Sequence, residues 1–126
     1  EALNYINKLG LNNIQKYEKE LTKYLFEELL LIDDLNIIGP NPEEDSQRAS
    51  LASFFINNIH SNDIAEILDS KGICIRSGHH CCQPLHKYLN VISTARVSMN
   101  FTTTKDDIDI FIAKLKETIK FLRIYS

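Results

Sequence analysis

The chain contains no tryptophan, one methionine, three prolines and four glycines, and neither a repeat nor a low-complexity linker interrupts its 126 residues. Three cysteines, an odd number with two adjacent, do not form a disulfide framework; they point to a reducing compartment and free thiols. No apolar run approaches the ~20 residues that span a bilayer, so no membrane segment is expected. Fourteen basic residues against 17 acidic ones give a net charge of −3 with no dense basic run, which leaves nucleic-acid capture without support. The opening from Glu1 is amphipathic and lacks the basic, apolar, small-residue order of a signal peptide, so nothing visible directs the chain to secretion. What remains is 44% apolar content, enough for one compact domain with a modest core.

The spacing of those apolar residues predicts the elements. A short helix runs from Glu1 to Leu9, with Gly10 as its stop. A longer helix is expected over about 13–32, because Ile14, Tyr17, Leu21, Leu25, Leu29 and Ile32 recur at three and four. Leu35 to Ile38 and Leu51 to Ile56 read as strands, separated by Gly39-Pro40 and a polar loop over 40–47 that is expected to be the most mobile internal segment. Ser61 fits the N-cap of a helix reaching Ser70, with Ile64, Ile67 and Leu68 inward and Gly72 ending it. Ile73-Cys74-Ile75 reads as a strand with Cys74 shielded as a small hydrophobe, and Ala95 to Met99 as another strand. Thr104 to Asp107 resembles a capping box, opening a last helix with a stripe of Ile108, Phe111, Ile112, Leu115, Ile119 and Leu122. Helices on one side of a small, mostly antiparallel sheet make a two-layer α+β domain over 1–126.

Between two of those strands lies RSGHHCCQP, Arg76 to Pro84, with a guanidinium, two imidazoles and two thiols in nine residues. A zinc site needs about four converging ligands, usually with spacers between paired ones. His79, His80, Cys81 and Cys82 have none, and His60, His86 or Cys74 would have to supply the rest. A disulfide between the neighbours Cys81 and Cys82 would fall outside usual bridge geometry. The histidines and thiols could also be local packing groups. As a nucleophile, a thiol needs help to ionise near neutral pH, and Arg76, His79 and His80 all lie within five residues of Cys81. Gly78 and Pro84 could shape a loop that presents the thiol outward. Spacing makes this plausible without choosing it.

Arg76-Ser-Gly-His-His-Cys81 followed by Pro84, and then Ala95-Arg96-Val-Ser98, resembles the active-site signature of the SufS-like, group II cysteine desulfurases. Leu9-Gly-Leu-Asn-Asn-Ile14, Tyr17-Glu18, Gly39-Pro40, the Asp69 to Ile73 approach and the Thr104 cap extend the likeness over essentially the whole chain. The resemblance implies the small C-terminal domain of a pyridoxal 5'-phosphate (PLP) enzyme of the aminotransferase-like fold, a homodimer that converts L-cysteine to L-alanine and a protein-bound persulfide. It implies delivery of that sulfur to a SufE-like or SufU-like acceptor for iron–sulfur cluster assembly. Its setting would be cytoplasmic in a bacterium and the stroma of a plastid-type organelle in a eukaryote. Carried over residue by residue, Cys81 is the nucleophile, Arg96 binds the substrate carboxylate, and Arg76, Gly78, His79 and His80 support the site. No lysine here matches the one that holds the cofactor, so the chain alone is expected to be inactive, with no metal site. Cys82 and Thr102 depart from the family's usual residues, and the short interval from Cys81 to Ala95 favours the group with a compact catalytic loop. The alternatives are a selenocysteine lyase, or a noncatalytic thiol or metal-binding module on the same fold.

Overall fold

A computed structural model describes residues 1–44 and 48–125. Helix α1 (Ala2–Leu9) ends at Gly10, whose φ of 85° suits a residue without Cβ, and helix α2 (Leu11–Leu30) follows at once. In α2 only the C-terminal half meets the core. Leu21, Leu25, Phe26 and Leu29 are buried, whereas Tyr17, expected inward, stays exposed and donates its hydroxyl to the Thr103 carbonyl at 2.8 Å. No residue of α1 is buried. Strands β1 (Leu35–Ile38) and β2 (Leu51–Ile56) follow, and residues 45–47 of the loop expected to be mobile lie outside the described residues.

Helix α3 (Ser61–Ser70) starts at its expected cap, so the cap itself lies one residue earlier. His60 is the N-cap, its Nδ1 accepting from the Asn62 amide at 3.2 Å, while Ser61 is buried and donates to Ser93 Oγ at 2.6 Å. Ile64 and Leu68 are buried, Ile67 is half-buried, and Gly72 closes the helix at a φ of 77°. Strand β3 is Arg76–Gly78; Ile73-Cys74-Ile75, expected to be that strand, is extended chain without a ladder partner. A helix not foreseen from the sequence, α4 (Gln83–Leu89), occupies the stretch after the cysteines, with Pro84 in its first turn. Strand β4 (Thr94–Ser98) and helix α5 (Lys105–Tyr125) complete the chain.

The sheet has the order β1-β2-β4-β3 and every pairing is antiparallel. Ala52, Phe54 and Ile56 alternate inward from β2, where they meet α2, α3 and α5. The α5 stripe lands as expected: Ile108, Phe111, Ile112, Leu115 and Ile119 are buried and Leu122 packs against them. Burial of each fully enclosed leucine contributes about 1.5–3 kcal/mol. The capping box also forms, with the Thr104 amide donating to Asp107 Oδ2 at 2.8 Å and the Asp107 amide donating back to Thr104 Oγ1 at 3.2 Å. Tyr24 joins α2 to α5 by donating to Asp109 Oδ1 at 2.6 Å, and that bond pushes its phenol up to about 12. The result is a two-layer α+β domain, with α2, α3 and α5 over one face of the sheet.

Candidate active site

Alternation along β4 decides which side chains leave the core. Ala95 and Val97 face the helices, so Thr94 and Arg96 face the other way. Across the ladder Arg96 stands opposite Arg76, and Thr94 opposite Gly78. Two guanidiniums directly opposed on one face repel each other. Arg96 is half-buried, and its Nε is buried with no acceptor among the described residues. A buried donor left unpaired costs about 1–3 kcal/mol, a cost that an anionic partner would remove.

At the end of β3 the chain turns sharply. The Cys82 amide donates to the His79 carbonyl at 2.8 Å, and both central residues of this turn lie at positive φ, His80 at 51° and Cys81 at 58°. Paired positive φ is the signature of a type I′ turn, which glycine and asparagine usually fill. For residues with a Cβ it costs roughly 1–2 kcal/mol each. Gly78 enters the turn at a φ of 110°, with open space where a Cβ would stand, so its requirement is conformational and not steric. The turn puts Cys81 at its crest, exposed, and all three cysteines are free thiols.

Three imidazoles gather behind that crest. His80 Nε2 lies 3.1 Å from the Thr94 carbonyl, which can only accept, so Nε2 carries the proton and Nδ1 is the basic nitrogen. Burial, which favours the neutral ring, pushes His80 below the ordinary imidazole value, helped by Arg96, His86 and Arg76 and opposed by the Thr94 bond. His86, only 5% exposed, donates from Nδ1 to the Cys82 carbonyl at 3.0 Å, and its Nε2 meets the Thr94 hydroxyl at 3.1 Å. The His79 ring stands edge-on to His86 at 5.3 Å between centroids.

Thus the structure strings Arg76, Gly78, His79, His80 and Cys81 along β3 and its turn, with Arg96 opposite Arg76 on β4. Cys74 stays apart and, contrary to expectation, is exposed: it donates to Asp69 Oδ1 at 3.4 Å, and that bond pushes its thiol pKa up. Sequence reasoning considered His86 only as a zinc ligand and overlooked Thr94. The spacing of Cys82 and His86, four apart with Pro84 between them, held the signal for a helix that returns the imidazole to the turn. Among the described residues no group of three or more His, Cys, Asp or Glu side chains is arranged to hold a metal ion. No helix among them is long and apolar enough to cross a membrane. A groove of about 400 Å³ lined by Asn57, His60, Asn90 and Ser93, among others, touches neither Cys81 nor Arg96.

Known proteins resemble this chain in sequence and fold. A probable cysteine desulfurase of Synechocystis is 47% identical over 120 residues, which cover 95% of this chain and 28% of the relative. Another from Staphylococcus epidermidis is 46% identical over 121 residues, covering 96% of this chain and 29% of the relative. An apo cysteine desulfurase from Thermococcus onnurineus superposes with a TM-score of 0.84 at 32% identity, over 93% of this chain and 28% of that one. The cysteine desulfurase CsdA of Escherichia coli, in its S-sulfonic acid form, shares the fold at a TM-score of 0.84 and 23% identity, over 95% of this chain and 29% of that one. The chain therefore spans under a third of the length of the relatives it matches. With residues 1–111 matching the family as well, the chain belongs to the aminotransferase class-V family.

Proposed function

We propose that this chain is the C-terminal small domain of a SufS-like cysteine desulfurase, a homodimer whose remaining chain carries PLP and the lysine that binds it. One observation carries this reading: Arg96 keeps a buried, unbonded Nε opposite Arg76, on the strand that pairs with the one leading into the Cys81 turn. A substrate carboxylate fits there, because the Nε–H and a neighbouring Nη–H form one fork of the guanidinium. The residues around Thr94 supply cations and a thiol but no lysine, and Lys87, the lysine closest in sequence, is exposed on α4. They suit the substrate's side of a PLP site and not the anchoring of the cofactor. When bound, PLP supplies the electron sink for breaking the carbon–sulfur bond of L-cysteine.

The geometry supports the following part for this chain in that reaction. Arg96 holds the substrate carboxylate, and Arg76 adds positive charge beside it. The Cys81 thiolate attacks the substrate sulfur; a sulfur–sulfur bond forms, the carbon–sulfur bond breaks, and its electron pair stays with the carbon that takes a proton to become the methyl group of alanine. His80, neutral and tethered by Nε2 to β4, holds the turn with Nδ1 as a base. Cys81 persulfide then passes its outer sulfur to a SufE-like or SufU-like acceptor for iron–sulfur assembly.

The test measures alanine released from L-cysteine. The full polypeptide should release it only with PLP, whereas residues 1–126 alone should release none and develop no lysine–pyridoxal absorbance band. Alanine from residues 1–126, or none from the PLP-loaded full polypeptide, would overturn the assignment.

A further inference from the structure

We propose that His86 is a positioning residue for the Cys81 turn, a role that rests on Cys81 being the nucleophile. Two successive residues with Cβ atoms sit at positive φ in this turn, and the single bond from the Cys82 amide to the His79 carbonyl closes it. Left alone, such a turn relaxes, because neither His80 nor Cys81 has glycine's freedom there. The structure supplies a brace on the far side of the same residue. The Cys82 carbonyl accepts from His86 Nδ1 at 3.0 Å, in addition to the His86 amide at 3.3 Å that starts helix α4.

That imidazole is fixed at its other end as well. A carbonyl has no proton to give, so Nδ1 is the donor, and Nε2 meets the Thr94 hydroxyl 3.1 Å away. Thr94 is 1% exposed and lies two residues before Arg96 on the same face of β4. A buried chain of hydrogen bonds thus runs from the strand that binds the carboxylate, through His86, to the residue next to the thiol. It sets the distance between Arg96 and Cys81, which the two reacting groups of one small substrate must match. With both nitrogens engaged, His86 acts through the turn and does not touch the substrate.

The experiment uses the full polypeptide loaded with PLP. His86→Leu removes both bonds at similar bulk, Thr94→Val removes the anchor on β4, and His86→Asn keeps an amide nitrogen where Nδ1 was. Hydrogen exchange of the Cys82 amide, read by mass spectrometry, should quicken at least tenfold in His86→Leu, which loses both bonds, and about threefold in Thr94→Val, which like His86→Asn loses only the bond to β4. It should return to within about threefold of the unaltered protein in His86→Asn. In L-cysteine turnover His86→Leu should lower kcat about tenfold with KM held within twofold, and His86→Asn should recover most of that loss. Unchanged exchange at Cys82 in both His86→Leu and Thr94→Val, or His86→Asn as damaged as His86→Leu, overturns the positioning role. If the unaltered polypeptide releases no alanine, the desulfurase assignment fails, and the exchange measurements still decide whether His86 braces the turn.

Discussion

Replacing Arg96 by methionine separates what the fold needs from what the site needs. Arg96 carries a buried Nε with no acceptor and faces Arg76 across the β3–β4 ladder. Removing the orphaned donor relieves about 1–3 kcal/mol, and removing the opposed charge about 0.2–1 kcal/mol. Because Arg96 is only half-buried, solvent already relieves part of both, so the low end applies: about 1 kcal/mol. Methionine keeps the aliphatic stem, so packing changes little. Arg96→Met should therefore stabilise residues 1–126 by about 1 kcal/mol, or roughly 4 °C in Tm. The chain lacks tryptophan, so urea unfolding is followed by far-ultraviolet circular dichroism. In the full polypeptide the same variant loses a two-bond carboxylate fork worth about 3 kcal/mol or more, and kcat/KM should fall at least ~100-fold. Arg96→Lys, which keeps a charge without the fork, should fall between. A variant destabilised by more than about 1 kcal/mol would make Arg96 structural; one with kcat/KM within threefold of the unaltered protein would remove it from the site.

Other perturbations test the scaffold and the thiols. Leu115→Ala opens a cavity at a side chain with no exposure and should cost about 3 kcal/mol in urea unfolding; a loss under 1 kcal/mol would contradict the core described here. Cys74, held by Asp69 above the ordinary thiol value, should be alkylated by iodoacetamide with a pH midpoint higher than in the Asp69→Asn variant, and equal midpoints would rule out that bond. Asp107 has its carboxyl held below the usual value by the Thr104 amide and hydroxyl. Its contribution is present above the unfolded pKa and lost as pH falls through the folded one, so Asp107→Asn should lower Tm at pH 6 and lose that effect in acid below the ordinary aspartate range. A Tm difference that is the same at both pH values would show that the cap does not depend on the charge.

Periodicity made the large elements legible. The stripe of α5 and the alternation of β2 name their buried residues because each element is long enough to show its period and has one covered face. In α2 the pattern continues beyond the core, which is why Tyr17 fits the stripe yet stays exposed. Ile73-Cys74-Ile75 has a strand's composition, but pairing defines a strand, and the ladder to β4 begins only at Arg76. The exposure of Cys74 was nevertheless readable, since in an extended segment it points away from Ile73 and Ile75, which pack against the core. Helix α4 is seven residues long with one buried side chain, too short for a period to emerge. The residues that carry chemistry stood out by type in RSGHHCCQP, whereas the Thr94 and His86 brace needed the fold to bring two elements together.

Sulfur bookkeeping after one turnover tests the central assignment most directly. The full polypeptide, loaded with PLP and given one equivalent of L-cysteine, is compared with its Cys74→Ala, Cys81→Ala and Cys82→Ala variants by intact-protein and peptide mass spectrometry. Cys81 stands at the crest of the turn beside His80, and it alone should carry the added sulfur, so only Cys81→Ala should lose the persulfide. A persulfide that survives in Cys81→Ala and disappears in Cys82→Ala would move the nucleophile by one residue and contradict the site built here.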